Sequence, residues 1–315
     1  MTAGRVVFMG SPAMAVAALE ALAAGFAVPL VVTQPDRPSG RGRRLAATAV
    51  HIRADELGIP VLATADVNAP ECVAILKGTE ADAVVVVSFG QILKRHVLGV
   101  SRCGCVNVHF SLLPELRGAA PVAWAIIRGL RETGVSLIQM TARMDAGPVI
   151  AQAREPVRED DTASTLSERL GALGARLLGE VLGAYLAGGT QPAEQDETRA
   201  TYAPKITRSI GALDWSKSAE EIDRLIRGLS GQSEAYAFLD GEKPVRVTFY
   251  NSGLAREPAA GPGVAARGAK GELLVGCGRG AIEVKEIQAE GRKRMSGRDF
   301  ANGWHIRGGE RFLDG

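Results

Sequence analysis

The sequence predicts an α/β protein: a Rossmann-like, mostly parallel sheet domain followed by a small OB-like β-barrel domain. Three observations carry that expectation. Arg5 to Gly10 is an apolar run ending at glycine, a helical stretch follows, and Val28 to Thr33 is a second apolar run. Strand, helix and strand within about thirty residues is a βαβ unit, which requires parallel strands and a right-handed crossover. Beyond Ala235 the chain changes to short β-runs between glycine turns: Ala235 to Leu239, Val245 to Tyr250, Gly263 to Ala265, Glu272 to Val275 and Ala281 to Ile287. Short strands at this spacing suit a small barrel. Between the two patterns lies Gly188-Gly189-Thr190-Gln191-Pro192 and a polar stretch, the composition of a domain boundary. The expected organisation is a first domain over 1–189, a linker over 190–208 and a second domain over 209–315.

The elements follow in order. Ser11 is placed to cap a helix with Pro12 in its first turn, running from Met14 to Ala24 and ending near Gly25. Gly10 and Ala15 are not a dinucleotide glycine fingerprint, so no NAD site is inferred from the fold. Thr33 to Arg44 holds two prolines, two glycines and four arginines against one aspartate. That composition predicts neither helix nor strand but a positively charged rim loop, whose Arg forks match phosphate geometry. Val50 to Leu57 and Val67 to Leu76 read as helices, Ile59 to Leu62 and Val84 to Val87 as strands. Phe89, Gly90 and Ile92 follow at the strands' C-terminal rim. Gly104 to Val108 is a further strand; Leu116 to Pro121 leads into a helix with Val122, Trp124, Ile126 and Ile127. Thr133 to Met140 is strand-like, and Met144 to Ile150 turns into another strand. Leu166, Leu170, Leu173, Leu177, Leu178, Val181 and Leu182 recur at helical spacing within 161–186, a core stripe without chemistry.

Asn107 and His109 lie two residues apart on a strand and so share a face; they read either as an amide donor beside a proton-transfer group or as a strand-end pair satisfied by local hydrogen bonds. Elsewhere the composition excludes more than it suggests. A net charge of +2 leaves attraction to a polyanion to local patches, of which Lys285 to Arg311, with seven Lys/Arg against four Asp/Glu, is one. Cys72, Cys103, Cys105 and Cys277 lack metal-ligand spacing. No 18-residue apolar run and no signal peptide opens the chain, so a cytoplasmic protein without a membrane partner is expected.

The motifs together resemble the methionyl-tRNA formyltransferases. Asn107-x-His109, Ser111-Leu112-Leu113-Pro114, Arg117-Gly118-Ala119-Ala120-Pro121 and Met144-Asp145-Ala146-Gly147-Pro148 are similar to that family's signature segments in order, and Thr33 to Gly42 to its loop insertion. The likeness continues through Asp214-Trp215-Ser216 and Met295-Ser296, so it spans essentially the full chain. The resemblance implies transfer of a formyl group from 10-formyltetrahydrofolate to the α-amine of methionine on initiator methionyl-tRNA, by a monomer and without a metal. It implies a catalytic trio of Asn107, His109 and Asp145, and folate contacts from Ser111, Leu112, Leu113 and Pro114 with Phe89, Gly90 and Ile92. It assigns Arg41, Arg43 and Arg44 to the tRNA acceptor stem, and the basic cluster Arg292, Lys293 and Arg294 is expected to meet tRNA as well. Two positions depart from the family: Phe110 where a small residue is usual, and Ser230-Gly231-Gln232-Ser233 where Pro-Trp-Pro is common. A benzyl group at 110 must point to the sheet's other side or narrow the site.

In such a transfer an amine attacks the formyl carbon and negative charge develops on its oxygen. The Asn107 amide can donate to that oxygen. The attacking nitrogen loses a proton and the folate nitrogen gains one; a histidine oriented by Asp145 can carry both near neutral pH, or Asp145, or a water it holds, accepts the amine's proton. Competing readings are a formyltransferase acting on a nucleotide amino-sugar or glycinamide ribonucleotide, a formyl-folate hydrolase, and a non-catalytic RNA-binding protein. The arginine loop and basic second domain favour the polyanionic acceptor.

Overall fold

The computed structural model describes residues 4–39, 44–231, 233–257 and 260–315. In chain order the elements up to the long helix are β1 (Val6–Gly10), α1 (Val16–Gly25), β2 (Val31–Thr33), β3 (Arg37–Ser39), β4 (Arg44–Ala46), α2 (Ala49–Glu56), β5 (Val61–Ala63), α3 (Pro70–Gly78), β6 (Ala83–Val87), α4 (Arg95–Leu98), β7 (Cys105–His109), α5 (Pro121–Ile127), β8 (Glu132–Gln139), β9 (Val149–Pro156) and α6 (Ala163–Leu186). All five residues of β1 and all five of β6 are buried, as central strands covered on both faces require. The sheet order is β5-β2-β1-β6-β7-β8-β9. From β5 to β7 neighbours are parallel, and β8 and β9 add antiparallel strands at one side. That is the mostly parallel, Rossmann-like sheet the sequence predicted.

Two local expectations are corrected. Ser11 does not cap α1. A 3₁₀ turn at Ala13–Ala15 precedes the helix with Pro12 as its cap residue, and Ser11 Oγ instead accepts from Thr33 Oγ1 at 3.2 Å and from Gln34 N at 3.1 Å. The hydroxyl ties the ends of β1 and β2 together, a partner that lies 22 residues away in sequence. The basic stretch after β2 is also not wholly loop. β3 and β4 pair antiparallel, with Arg37 opposite Ala46 and Ser39 opposite Arg44. A backbone ladder tolerates Pro38 at the edge of a two-stranded ribbon, where composition alone argued against a strand. Arg41 and Arg43 lie outside the described residues, and Arg44 opens β4.

The chain sorts into two compact units, the first comprising 1–121, 132–156 and 167–203, the second 122–131, 157–166 and 204–315. The second unit contains α7 (Ala219–Leu229), β10 (Ala235–Leu239), β11 (Val245–Leu254), β12 (Ala265–Arg267), β13 (Leu273–Gly276), β14 (Ala281–Ala289), β15 (Met295–Ser296), α8 (Gly297–Gly303) and β16 (Phe312–Leu313). α7 starts on a capping box, Ser218 with Glu221. Its antiparallel sheet runs β12-β13-β14-β11-β10-β16, with β15 on β14. The two ends of that order meet: Ala265 N donates to Glu310 O at 2.7 Å and Phe312 N to Gly263 O at 2.7 Å, around a Val264–Arg311 bridge. Gly263 has φ +73°, and a Cβ there would lie 2.3 Å from Phe312 O, so the closure requires glycine. The result is the small barrel expected. Trp215, Phe249 and Phe312 fill it, with ring centroids 5.5–6.0 Å apart. Ser230 follows α7 as its C-cap, Ser164 Oγ donates to its carbonyl at 3.3 Å, and Gln232 lies outside the described residues. Among the described residues no helix is long and apolar enough to cross a membrane.

Candidate active site

β7 sits between parallel β6 and antiparallel β8, with Asn107 opposite Val86 on one side and Ile138 on the other. Alternation along the strand divides its residues between two faces. Val108 and Phe110 take the face covered by α6: a Cβ built on Gly174 would lie 2.9 Å from Val108 Cγ1 and 3.7 Å from Phe110 Cε1. The Phe110 ring is therefore spent on packing beneath α6 and is only 4% exposed. Its ring points toward Gly174 on the sheet's other side, while residue 110 itself still borders the cleft. Asn107 and His109 take the opposite face.

That face floors a cleft of about 550 Å³ within the first unit, bordered by Phe89, Gly90, Ile92, Asn107, His109, Gly118, Met144 and Asp145 among others. Asp145, 38 residues from Asn107, is delivered by the turn between β8 and β9 and has φ +49°. Its Oδ2 accepts from Gly118 N at 2.8 Å. Its Oδ1 faces Asn107 Nδ2 at 3.4 Å and His109 Nδ1 at 3.7 Å. His109 Nε2 lies 3.0 Å from the Leu116 carbonyl. A carbonyl only accepts, so Nε2 carries the hydrogen and Nδ1, the atom facing Asp145, is where a further proton is gained or lost. An amide donor, a proton-exchanging ring nitrogen and a carboxylate thus meet at one point.

The structure brings together Asn107, His109, Asp145, Phe89, Gly90 and Ile92 around this cleft. It places Ser111, Leu112, Leu113 and Pro114 outside the cleft's lining. Ser111 is 1% exposed and its Oγ donates to Glu115 O at 2.6 Å. Leu113 N donates to Ser136 Oγ at 3.0 Å, and Gln152 Nε2 holds the Leu113 carbonyl at 2.8 Å. The Leu113–Pro114 peptide is cis. This tight turn returns the chain so that the Leu116 carbonyl reaches His109. On the rim, Ile92 and Met144 are 78% and 65% exposed, apolar surface at the mouth of a polar-floored cleft. Burial pushes the Cys105 thiol up to about 12, so that neighbour of the site is no nucleophile. Among the described residues no three His, Cys, Asp or Glu side chains converge to hold a metal ion.

In the second unit, Arg292, Lys293 and Arg294 are exposed. Arg294 is engaged: it pairs with Glu286 and its guanidinium lies 4.2 Å from the Tyr250 ring centroid. Sequence reasoning passed over Gly118, whose N–H orients Asp145, and Gln195, whose Nε2 donates to the carbonyls of Asp145 at 2.8 Å and Gly147 at 2.7 Å. Gln195 sits in a polar stretch that reads as linker. The signal available was Arg117, a charged residue inside a glycine- and alanine-rich segment that has to find a partner when buried.

Residues 4–182 match the Formyl transferase family and residues 205–305 its C-terminal domain. The chain is 41% identical over 305 residues to methionyl-tRNA formyltransferase of Sorangium cellulosum, covering 97% of this chain and 98% of that one. It is 39% identical over 308 residues to the Bacillus subtilis enzyme of the same name, covering 97% and 96%. Among solved structures, the N-formyltransferase of Helicobacter canadensis superposes with TM-score 0.65 at 19% identity, covering 92% of this chain and 100% of that one, a likeness of fold. With relatives this similar over their whole length, the chain belongs to the methionyl-tRNA formyltransferase family.

Proposed function

We propose that this chain transfers the formyl group of 10-formyltetrahydrofolate to the α-amino group of methionine on initiator methionyl-tRNA, as a monomer in the cytoplasm. The observation that carries the reading is the convergence of Asn107, His109 and Asp145 on the floor of one cleft. The formyl donor supplies an acylated nitrogen whose carbonyl carbon is open to attack. The apolar rim at Ile92 and Met144 suits a flat heteroaromatic ring. The Helicobacter protein, distant in sequence, was solved with folinic acid.

Within that cleft Asn107 Nδ2 donates to the formyl oxygen as negative charge develops there. His109 Nδ1 takes the proton that the attacking amine sheds and returns it to the departing nitrogen, so no net proton is consumed. Asp145, fixed by Gly118 N, faces the ring nitrogen that becomes charged and stabilises that charge. On this reading residues 1–189 perform the chemistry and residues 209–315 carry tRNA-binding surface, with exposed Arg292 and Lys293 as phosphate contacts.

The test supplies the formyl donor with methionyl initiator tRNA, uncharged tRNA, a nucleotide amino-sugar or water alone. Turnover is expected with methionyl-tRNA only. Preferred turnover of the amino-sugar, or hydrolysis as fast as transfer, overturns the assignment.

A further inference from the structure

We propose that Gln195 is a positioning residue for this reaction, acting through the loop that carries Asp145; the inference rests on the formyl-transfer reading above. Every atom of the arrangement lies within the first unit. Asp145 sits on the tight turn 141–148 with φ +49°, a left-handed conformation uncommon for a residue with a side chain though one that aspartate tolerates. Its side chain is held by one backbone N–H. Its backbone is held by Gln195, whose amide nitrogen donates to the Asp145 and Gly147 carbonyls together.

An amide that donates twice must be fixed by its oxygen, and here Arg117 does this. Arg117 is 1% exposed, and its Nε and Nη2 donate to Gln195 Oε1 at 3.1 and 2.7 Å. The rest of the guanidinium is neutralised by Glu197, which accepts from Nη1 at 3.1 Å and Nη2 at 3.0 Å. Arg143, on the Asp145 turn itself, also donates to Glu197 at 2.8 Å. The buried charge is thus paired and its donors used. The same segment, 193–203, which makes a 3₁₀ turn at Glu197–Arg199, reaches His109 as well: Thr201 Oγ1 accepts from Leu116 N at 2.9 Å, and the Leu116 carbonyl accepts from His109 Nε2. At its other end Ala193 and Val149 exchange backbone hydrogen bonds at 2.7 and 2.8 Å, anchoring the start of β9. One stretch outside the cleft therefore sets the aim of His109 and of the carboxylate that faces it. No side chain of Gln195, Arg117 or Glu197 borders the cleft, so none needs to meet a substrate.

Gln195→Glu isolates the effect, since it is isosteric and still accepts from Arg117 but cannot donate to the two carbonyls. Arg117→Lys removes the fork that holds Gln195. Both are measured on the full chain by steady-state formylation, thermal melting and amide exchange of residues 141–148. The expected result is kcat lower by at least about tenfold, KM for donor and tRNA within about threefold of wild type, and faster exchange in 141–148. Unchanged kcat in Gln195→Glu overturns the proposal whether or not exchange rises. So does a loss shared by KM and melting temperature with the turn still protected, the signature of a merely structural role. Should wild type fail to formylate methionyl-tRNA while exchange in 141–148 rises in the variants, the clamp stands and the assigned reaction falls.

Discussion

Asn107 and Glu197 show how differently two polar residues of one fold act. Asn107 is half-buried on the cleft floor, and its Nδ2 donates to Asp145 Oδ1 over 3.4 Å, a long hydrogen bond that a substrate oxygen can displace. Loss of one such donor is typically worth about 3–4 kcal/mol in the transition state. Asn107→Ala is therefore expected to lower kcat by roughly 10²–10³-fold while donor binding persists, as read by single-turnover kinetics and equilibrium titration. Near-normal turnover would remove the amide from the chemistry. Glu197 lies outside the cleft. Hydrogen bonds from Arg117 first and Arg143 second hold its carboxyl down at about 2, against an ordinary 4.5. The folded value is the lower one, so the interaction is fully present above pH 4.5 and is lost as pH falls from there to about 2. Melting temperatures measured across that range should fall less steeply for Glu197→Gln than for wild type. Parallel acid limbs would mean that the two guanidinium contacts are not held in solution.

At the scale of elements, β7 does two jobs by alternation. Its cleft face carries Asn107 and His109, and Phe110 continues the opposite face against Gly174 of α6. Phe110→Ala is expected to destabilise the fold by about 3–5 kcal/mol in denaturant titration, with kcat per folded molecule within about threefold of wild type. A large kcat loss at undiminished stability would place the ring in the reaction instead. The chemistry of Asn107 and His109 was not legible from the pair alone, which reads as well as a locally satisfied strand end, and came from the full-length resemblance; the strand's period of two was legible. So were the buried runs at Val6–Gly10 and Ala83–Val87, whose apolar continuity has one reading in a parallel sheet. The β3–β4 ribbon was not, because its ladder is made by backbone groups while its side chains announce a loop. Ser11 was misread for a related reason: a cap is a local partner, and its actual partner is Thr33 across the sheet. Gln195 escaped because its value comes from Arg117, 78 residues earlier, and not from its polar neighbours.

For the molecule as a whole, charge decides how a nearly neutral chain holds a polyanion. A net +2 supplies little long-range attraction, so binding must come from cations that are free to meet phosphates. The basic cluster at 292–294 divides by that criterion. Arg292 and Lys293 are exposed, whereas Arg294 is committed to Glu286 and to the Tyr250 ring. Replacing Arg292 and Lys293 together with alanine should raise KM for methionyl-tRNA, leave kcat unchanged, and reduce the slope of log affinity against log salt by roughly 1.5–2. Arg294→Ala should change that slope little, because removing a cation already neutralised by a carboxylate releases no additional counterions, and it should lower the melting temperature through the lost stacking. The decisive comparison is the slope and not the affinity, since a local unfolding of the β14–β15 edge would weaken binding at every salt concentration alike. Equal slopes for the double variant and wild type would move the tRNA contact away from this face of the barrel and leave the arginine-rich segment at 37–44 as the remaining basic candidate.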